Sequence, residues 1–402
     1  MPSQMPNLLN ALLEGLTLLI SGVAFFLTAW IVVPAPTFAL LPLGVGAPEV
    51  SPWLIVANAI AALLTLRSVR KNWLFRIVLA CSILSLVVST LPLSQFPAAQ
   101  QRAEASMQAA LGTRYLAQIA PTFRAEMRPQ PFVLSDAFLG IPEQPIRTTA
   151  GIRFAAPDGV PLTLTVYHPL AVGMHPTIVM IYGGAWQRGS PNDDAPFSRY
   201  MAARGYTVAA IDYRHAPRYR FPAPLEDVRS ALTYIQQHAE ELEVDRTRLA
   251  VMGRSAGAHL AMLAAYQPSS LAIRAVVNYY GPVDLTKGYY DLPNPDPIDS
   301  RAVLNAFLGG SPEQIPALYR QASPSELINK PLPISLLVYG GRDHLVQAKF
   351  GRSLYDRLQA TGNRAVWLEI PWAEHAFDKV FNGVSNQLAL YYTERFLAWA
   401  LR

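Results

Sequence analysis

Cysteine is almost absent from this chain of 402 residues, because Cys81 is its only representative. A disulfide within the chain is therefore impossible, and a chain of this length can bury a large core without one. Cys81 stands inside an apolar run. That position predicts a small side chain facing lipid or a neighbouring helix rather than a catalytic thiol.

Charged side chains are also scarce, since they make up 15% of the chain against about 25% in ordinary soluble domains. The deficit is concentrated in residues 1–96. The charged residues of that stretch are Glu14, Glu49, Arg67, Arg70, Lys71 and Arg76. The net charge of +5 is modest, and no basic stripe is interleaved with aromatics, so the charge pattern does not favour a nucleic-acid partner.

Three uncharged segments lie in this stretch, at residues 15–33, 50–66 and 77–96. A helix needs about 20 apolar residues to cross a bilayer, so the first and third are long enough and the second is at the short limit. We therefore expect residues 1–96 to be a membrane anchor with three transmembrane helices, and the lipid bilayer to be a partner. A buried helical hairpin is the alternative.

The basic residues predict how the anchor is oriented. Arg67, Arg70, Lys71 and Arg76 lie between the second and third segments, whereas the preceding loop at residues 34–49 has no lysine or arginine. Basic loops remain in the cytoplasm. Everything after Phe96 should then lie on the outer side, which predicts a multi-pass membrane protein with an extracytoplasmic catalytic domain.

The rest of the chain divides into two parts. Residues 97–147 are predicted to contain an amphipathic helix at 100–119 and a proline-rich segment at 121–145, serving as a linker, a stalk or a cap over the active site. From residue 148 to 402, apolar strands alternate with amphipathic helices. This alternation predicts an α/β fold with a mostly parallel sheet and helices on both faces.

A nucleophile motif stands at Gly253-Arg254-Ser255-Ala256-Gly257, after an apolar strand and before an alanine-rich helix. A G-x-S-x-G sequence in this context places its serine on a sharp strand-to-helix turn. The helix N-terminus also favours negative charge that develops nearby. Ser255 is therefore the candidate nucleophile.

A serine hydroxyl needs a base to take its proton, and three histidines follow Ser255. His375 stands on a late loop and is the candidate base, whereas His259 and His344 are interpreted as packing and loop residues. Asp343 follows a predicted strand and is the candidate acid that orients the histidine. Asp284 also follows a strand and is the rival, with a helix cap or a turn as its structural interpretation.

Glycines after the strand at residues 177–181 form the third element of the site, in Tyr182-Gly183-Gly184-Ala185-Trp186. Such a turn exposes backbone N–H groups that can stabilise an oxyanion. The residue after the nucleophile, Ala256, supplies the second source of donors.

Together these motifs resemble the α/β-hydrolase superfamily, and more narrowly its hormone-sensitive-lipase-like and acetylxylan/feruloyl-esterase-like branches. The resemblance covers residues 148–402 and implies that Gly184 and Ala185 donate to the oxyanion. In this chain Tyr182 replaces the usual histidine, and Ala185 replaces the third glycine. Ser255-Ala-Gly-Ala-His259 also resembles prenylcysteine methylesterases.

The expected activity is hydrolysis of a carboxylic ester, with a small-molecule or lipid-like substrate, through an acyl-serine intermediate. No metal or cofactor is expected, because the sequence has no cluster with metal-ligand spacing and no dinucleotide fingerprint. Amide or formamide hydrolysis, methylesterase activity and acyl transfer use the same machinery and remain open. A membrane-tethered binding module without turnover is the alternative from another class.

Overall fold

The N-terminal quarter of the computed structural model is helical. The structure describes residues 5–68, 70, 72–268, 272–328 and 331–402. Its first helices are α1 (Met5–Ala29), α2 (Leu41–Glu49), α3 (Ser51–Leu66) and α4 (Trp73–Leu111). The three apolar segments fall in α1, α3 and α4. Lys71 of the basic loop and residues 1–4 of the predicted anchor lie outside the described residues.

Helices α1, α3 and α4 pack against one another, and Asn58 on α3 donates a hydrogen bond to Thr28 on α1 over 2.8 Å. Helix α3 runs back along α1, since the end of α1 faces the beginning of α3. By length and composition, α1 and α4 could each cross a membrane. Helices α2 and α3 meet at 83° and could together form a third, broken span.

Helix α4 runs through residue 96, the predicted boundary of the anchor. The third apolar segment and most of the expected amphipathic helix are one continuous helix of 39 residues. The amphipathic part ends at Leu111 instead of residue 119, and a short 3-10 helix follows at Tyr115–Gln118. From Phe96 onward its buried face belongs to the main hydrophobic core, so the anchor and the following region share an element.

The rest of the chain is built on one eight-stranded sheet in the order β1-β2-β4-β3-β5-β6-β7-β8. Its strands are β1 (Arg147–Ala155), β2 (Leu162–His168), β3 (His175–Ile181), β4 (Thr207–Ile211), β5 (Val244–Arg254), β6 (Ile273–Tyr279), β7 (Ile334–Gly340) and β8 (Ala365–Ile370). Strand β2 is antiparallel to both β1 and β4, and the remaining pairs are parallel. The central strands are runs of valine, isoleucine and leucine, as a sheet buried on both faces requires.

Helices connect these strands and complete the expected α/β-hydrolase architecture. They are α5 (Pro121–Glu126), α6 (Leu134–Leu139), α7 (Ala195–Ala202), α8 (Ala223–Gln237), α9 (Ala256–Tyr266), α10 (Leu285–Tyr290), α11 (Ser300–Leu308), α12 (Pro316–Gln321), α13 (Ala348–Ala360) and α14 (Val384–Ala400). Every residue of α9 is buried, which explains why this helix is apolar all round.

The edge strand β8 is covered by the C-terminal half of α4. The backbone N–H of Trp367 donates to the Ser106 hydroxyl over 2.8 Å, and Arg364 donates to the carbonyl of Ala110 over 2.8 Å. Met107 is fully buried between these contacts. An uncovered sheet edge is a site of unwanted strand pairing, so this half of α4 protects the fold as well as filling its core.

Candidate active site

Ser255 stands at the turn between β5 and α9, with φ at +51°. A side chain on Gly253 would come within 2.3 Å of the backbone of Gly257, and one on Gly257 within 2.1 Å of the carbonyl oxygen of Ile181. Only glycine fits at these two positions, because the helix and the strands approach so closely. The G-x-S-x-G glycines therefore allow the turn that presents the serine.

A chain of hydrogen bonds joins Ser255, His375 and Asp343. The Ser255 hydroxyl lies 2.9 Å from Nε2 of His375, and Nδ1 of His375 lies 2.8 Å from Oδ2 of Asp343. Both partners of the serine are buried. The carboxylate fixes the imidazole with its proton on Nδ1, which leaves Nε2 free to accept the serine proton.

Electrostatics favour a charged imidazole at this position. Burial alone lowers the pKa of His375, but the neighbouring Asp343 carboxylate opposes it by charge and hydrogen bond, and the net pKa is raised above 6.5. The other oxygen of Asp343 accepts from the backbone N–H groups of Leu345 (2.8 Å) and Val346 (2.7 Å). The carboxylate is thus held from both sides.

Glu374 is a residue that the motifs did not reveal, and it ties the two loops of the site together. Its Oε1 accepts from the backbone N–H of His344 over 2.6 Å and from that of His375 over 3.0 Å. Its Oε2 lies 2.5 Å from Nδ1 of His344. One carboxylate therefore holds the loop that carries Asp343 against the loop that carries His375.

The three rival residues have structural partners. His259 is enclosed between the indole N–H of Trp186 (3.2 Å) and the carbonyl of Ala322 (2.6 Å), and burial lowers its pKa to about 4. His344 pairs with Glu374, as described above. Asp284 caps α10 by accepting from the backbone N–H of Lys287 over 3.0 Å. None of the three is within the Ser255–His375 hydrogen-bond chain.

The glycine turn after β3 lies against the nucleophile. A side chain on Gly183 would approach the carbonyl of Arg254 to 2.8 Å and Cβ of Ser255 to 3.2 Å. Gly184 has φ at +130° and Ala185 has φ at +54°. Ala185 thus adopts the left-handed conformation that suits a glycine, although this conformation costs a non-glycine residue roughly 1 kcal/mol or more. The turn keeps its shape despite the missing glycine.

Tyr182, where relatives of the resembled branch have histidine, is bound into its own polar group. Its hydroxyl lies 2.5 Å from Asp212 and 2.9 Å from Nε2 of His215, and its ring stacks on Tyr213 with centroids 4.5 Å apart. The Tyr182 hydroxyl therefore fastens the glycine turn to the loop after β4. Asp227 on α8 pairs with Arg214 over 2.8 Å, and this pair braces the same loop against the helix.

A buried ionic cluster lies beneath the nucleophile, and it too was not predicted. Arg254 pairs with Asp378 and lies 3.3 Å from Asp194. The Tyr280 hydroxyl donates to the same Asp378, and the Tyr280 ring lies 4.6 Å from that of His375. A charged residue beside the serine, just after the apolar run at residues 249–252, was the available signal for this cluster.

A cavity of about 910 Å³ opens in front of Ser255 and His375. Its walls come from the glycine turn, from the α10–α11 region and from the loop after β7. Phe38 and Leu41, from the connection between α1 and α2, also line it. Among the described residues, none in 97–147 lines the cavity. No group of three or more potential metal ligands exists in the part of the chain described.

Comparison with known proteins gives this geometry a context. Residues 164–358 match the BD-FAE family model. The probable carboxylic ester hydrolase LipM of Mycobacterium tuberculosis is 31% identical over 56% of this chain and 54% of its own length. Esterase LipC of the same organism is 33% identical over 50% of this chain and 53% of its own length. The chain thus spans about half the length of these curated relatives.

The fold is also found among solved structures. Esterase 2 of Thermogutta terrifontis, in a form phosphonylated by sarin, superimposes with a TM-score of 0.51 at 26% identity. The match covers 62% of this chain and 92% of that protein. Taken with the sheet order and the serine turn, these likenesses show that the chain carries an α/β-hydrolase fold, similar to that of the esterases named above.

Proposed function

We propose that this protein is a membrane-anchored serine hydrolase that cleaves a carboxylic ester through an acyl intermediate on Ser255. The observation that carries the proposal is the continuous hydrogen-bond chain from the Ser255 hydroxyl through His375 to Asp343. A serine turn alone occurs by chance, but a serine, a histidine and a buried carboxylate at these distances have the geometry of an activated nucleophile.

In the proposed first step, Oγ of Ser255 attacks the ester carbonyl while Nε2 of His375 takes the hydroxyl proton. The carbonyl oxygen becomes an oxyanion that accepts hydrogen bonds from the backbone N–H groups of Gly184, Ala185 and Ala256. His375 then gives its proton to the leaving alcohol oxygen, and the acyl group stays on Ser255. Loss of a single oxyanion donor typically costs about 10²–10³ in kcat, so these backbone groups would contribute substantially to the rate.

The second step repeats the chemistry with water. His375 removes a proton from a water molecule, the resulting hydroxide oxygen attacks the acyl carbonyl, and the proton returns to Oγ of Ser255 as the acid leaves. Asp343 remains ionised and stabilises the imidazolium in both steps. The raised pKa of His375 supports this role, because a more basic imidazole takes the serine proton more readily.

We propose further that the N-terminal helices hold this domain at a membrane, with the catalytic domain on the extracytoplasmic side. Large apolar side chains on α1, α3 and α4 are exposed where no protein covers them; they include Leu16, Leu19, Phe26, Val56, Ile60, Leu63, Ile83, Leu84 and Val87. An exposed apolar surface of this size marks a partner surface, and lipid fits helices of this length. The described basic residues Arg67, Arg70 and Arg76 lie at the end of the bundle remote from the domain, which supports the orientation.

A fluorophosphonate probe tests the proposed nucleophile on the full chain in detergent. We expect covalent labelling of Ser255, as well as hydrolysis of p-nitrophenyl butyrate, and we expect both to disappear in Ser255→Ala. The T. terrifontis esterase that reacts with sarin supports the choice of an organophosphorus probe. A folded wild-type protein that neither reacts with the probe nor hydrolyses any ester would favour the binding-module alternative. Labelling with turnover of amides but not esters would contradict the substrate class.

A further inference from the structure

The connection between α1 and α2 belongs to the substrate cavity as well as to the anchor. Phe38 and Leu41 line the cavity that contains Ser255 and His375. Leu41 is buried, whereas the Phe38 ring is 48% exposed. A ring that is half in the cavity wall and half outside it stands at the cavity mouth. The mouth is therefore built partly by the segment that precedes the second apolar helix.

Three contacts hold this connection against the catalytic domain. Arg342, the neighbour of Asp343, donates to the carbonyls of Ile31 and Val32 at the end of α1, the latter over 2.6 Å. Arg188, at the glycine turn, lies 4.7 Å from the centre of the Phe38 ring. These contacts tie the connection to the loops of the site itself.

The third contact is made by Glu49 at the end of α2. Its carboxylate accepts from the backbone N–H of Ser385 over 2.8 Å, at the beginning of α14. A side chain on Gly383 would lie 2.4 Å from the carboxyl group of Glu49. The Glu49 side chain therefore packs directly against the backbone at Gly383. The position of the cavity mouth relative to the helices is thereby fixed.

Exposed apolar side chains follow one another along the chain from α1 towards that mouth. On α1 it includes Phe25 and Phe26, and after α1 it includes Val32 and Val33, which are 43% and 47% exposed. Phe38 follows in the same connection. Apolar side chains on a bundle end of this kind face the interfacial region of a bilayer, and an apolar chain leaving the bilayer would meet Phe38 first.

We infer that the cavity takes lipid-like esters with a long apolar chain, that these enter from the bilayer past Phe38, and that Phe38 is a specificity-determining residue. The inference rests on the proposed esterase function and adds the substrate class to it. The size of the cavity, about 910 Å³, is at the upper end of the range of ligand pockets and accommodates such a chain. The contact of apolar chain with the Phe38 ring would stabilise long esters and not short ones.

The test compares two substrates on the full-length protein in detergent micelles. The measured quantity is the ratio of kcat/KM for p-nitrophenyl palmitate to kcat/KM for p-nitrophenyl butyrate. We expect Phe38→Ala to lower this ratio about tenfold, since part of the chain-binding surface is lost. Trp73→Ala removes an aromatic, exposed side chain from the beginning of α4, away from the cavity lining and from the surface that leads to it, and it should leave the ratio unchanged. An unchanged ratio in Phe38→Ala would overturn the inference.

A second pair of variants keeps the test decisive if Phe38→Ala does not fold, as judged by fluorophosphonate labelling. Phe38→Leu and Phe38→Asn have side chains of similar size, but only leucine keeps the apolar wall. We expect the palmitate-to-butyrate ratio of kcat/KM to stay close to the wild-type value in Phe38→Leu. In Phe38→Asn the same ratio should fall about as far as in Phe38→Ala. Equal ratios in the two variants would refute the role of Phe38.

Entry from the bilayer is tested with the protein reconstituted in phosphatidylcholine vesicles. Palmitate ester placed in the same vesicles should be hydrolysed with an initial rate at least about tenfold above that for ester supplied in separate vesicles. Equal initial rates would contradict entry from the bilayer. The two proposals fail differently. If the wild-type protein does not hydrolyse p-nitrophenyl butyrate either, the proposed esterase function is wrong. If the wild-type protein is active but the Phe38 variants keep its ratio and the two vesicle arrangements give equal rates, only the proposed substrate class is wrong.

Discussion

Asp343 and Asp284 each follow a strand of the sheet, yet their surroundings differ. Asp343 is held between His375 and two backbone N–H groups, whereas Asp284 caps a short helix. We therefore predict that Asp343→Asn lowers kcat on p-nitrophenyl butyrate by about 10³-fold or more, because an amide cannot hold the imidazole in the same tautomer. Asp284→Asn is the matched control and should change kcat far less. The reverse order in the two variants would disprove the acid assignment.

The pH dependence of the reaction follows from the pKa of His375, which Asp343 raises above 6.5 against the effect of burial. The base must be neutral to accept the serine proton, so kcat/KM should rise with pH through that raised pKa and be lost below it. We predict a midpoint above 6.5 for ester hydrolysis, and the same midpoint for the rate of fluorophosphonate labelling. A midpoint below 6.5 in both measurements would mean that the carboxylate does not set the basicity of His375.

Residues differ in how far the sequence reveals them. Ser255 could be predicted because its turn is encoded within five adjacent residues and the flanking strand and helix. His375 and Asp343 could be predicted from the order in which the later loops follow Ser255 in the sequence. Arg254, Glu374 and Phe38 could not be assigned, because their partners lie far away in the sequence and are brought together only by the fold. The bond from Tyr182 to Asp212 could not be predicted for the same reason.

Among the elements, α4 has two environments along one helix. Its first half exposes apolar side chains, and its second half covers β8 and fills the core. We predict that Met107→Ala, which removes a fully buried side chain, lowers the free energy of unfolding by about 2–5 kcal/mol. The exposed residue Gln101 lies on the same helix, and Gln101→Ala should be close to neutral. Thermal unfolding of the full chain in detergent measures both.

Equal melting temperatures for the two variants would show that this half of α4 does not contribute to the core.

The central strands could be predicted because they contain short apolar runs bounded by turn residues. The sequence pattern also predicts helices at residues 197–203, 225–238, 255–265, 346–360 and 385–401, each within a few residues of α7, α8, α9, α13 and α14. The extent of α4 could not be predicted, because polar residues begin at Gln100 while the helical backbone continues to Leu111. A change in composition marks a change of environment and not the end of a helix.

At the scale of the whole molecule, the proposed orientation can be tested in spheroplasts of a bacterial expression host. The basic residues Arg67, Arg70 and Arg76 lie at one end of the helices and the catalytic domain at the other. We predict that added protease digests the domain in intact spheroplasts while cytoplasmic marker proteins survive. Protection of the domain until the cells are lysed would show that the orientation is inverted.

The continuity of α4 has a consequence for how the protein is made and what can become of it. Phe96, Ala103 and Met107 complete the hydrolase core, yet they are joined without a break to the apolar half of the same helix. With the proposed membrane anchor, insertion of the apolar half would fix where the second half of α4 stands when the domain folds against it. A protease that cut after Leu111 would separate these core side chains from the domain, so a form released by such a cut should be destabilised. A cut before Phe96 would leave the core whole.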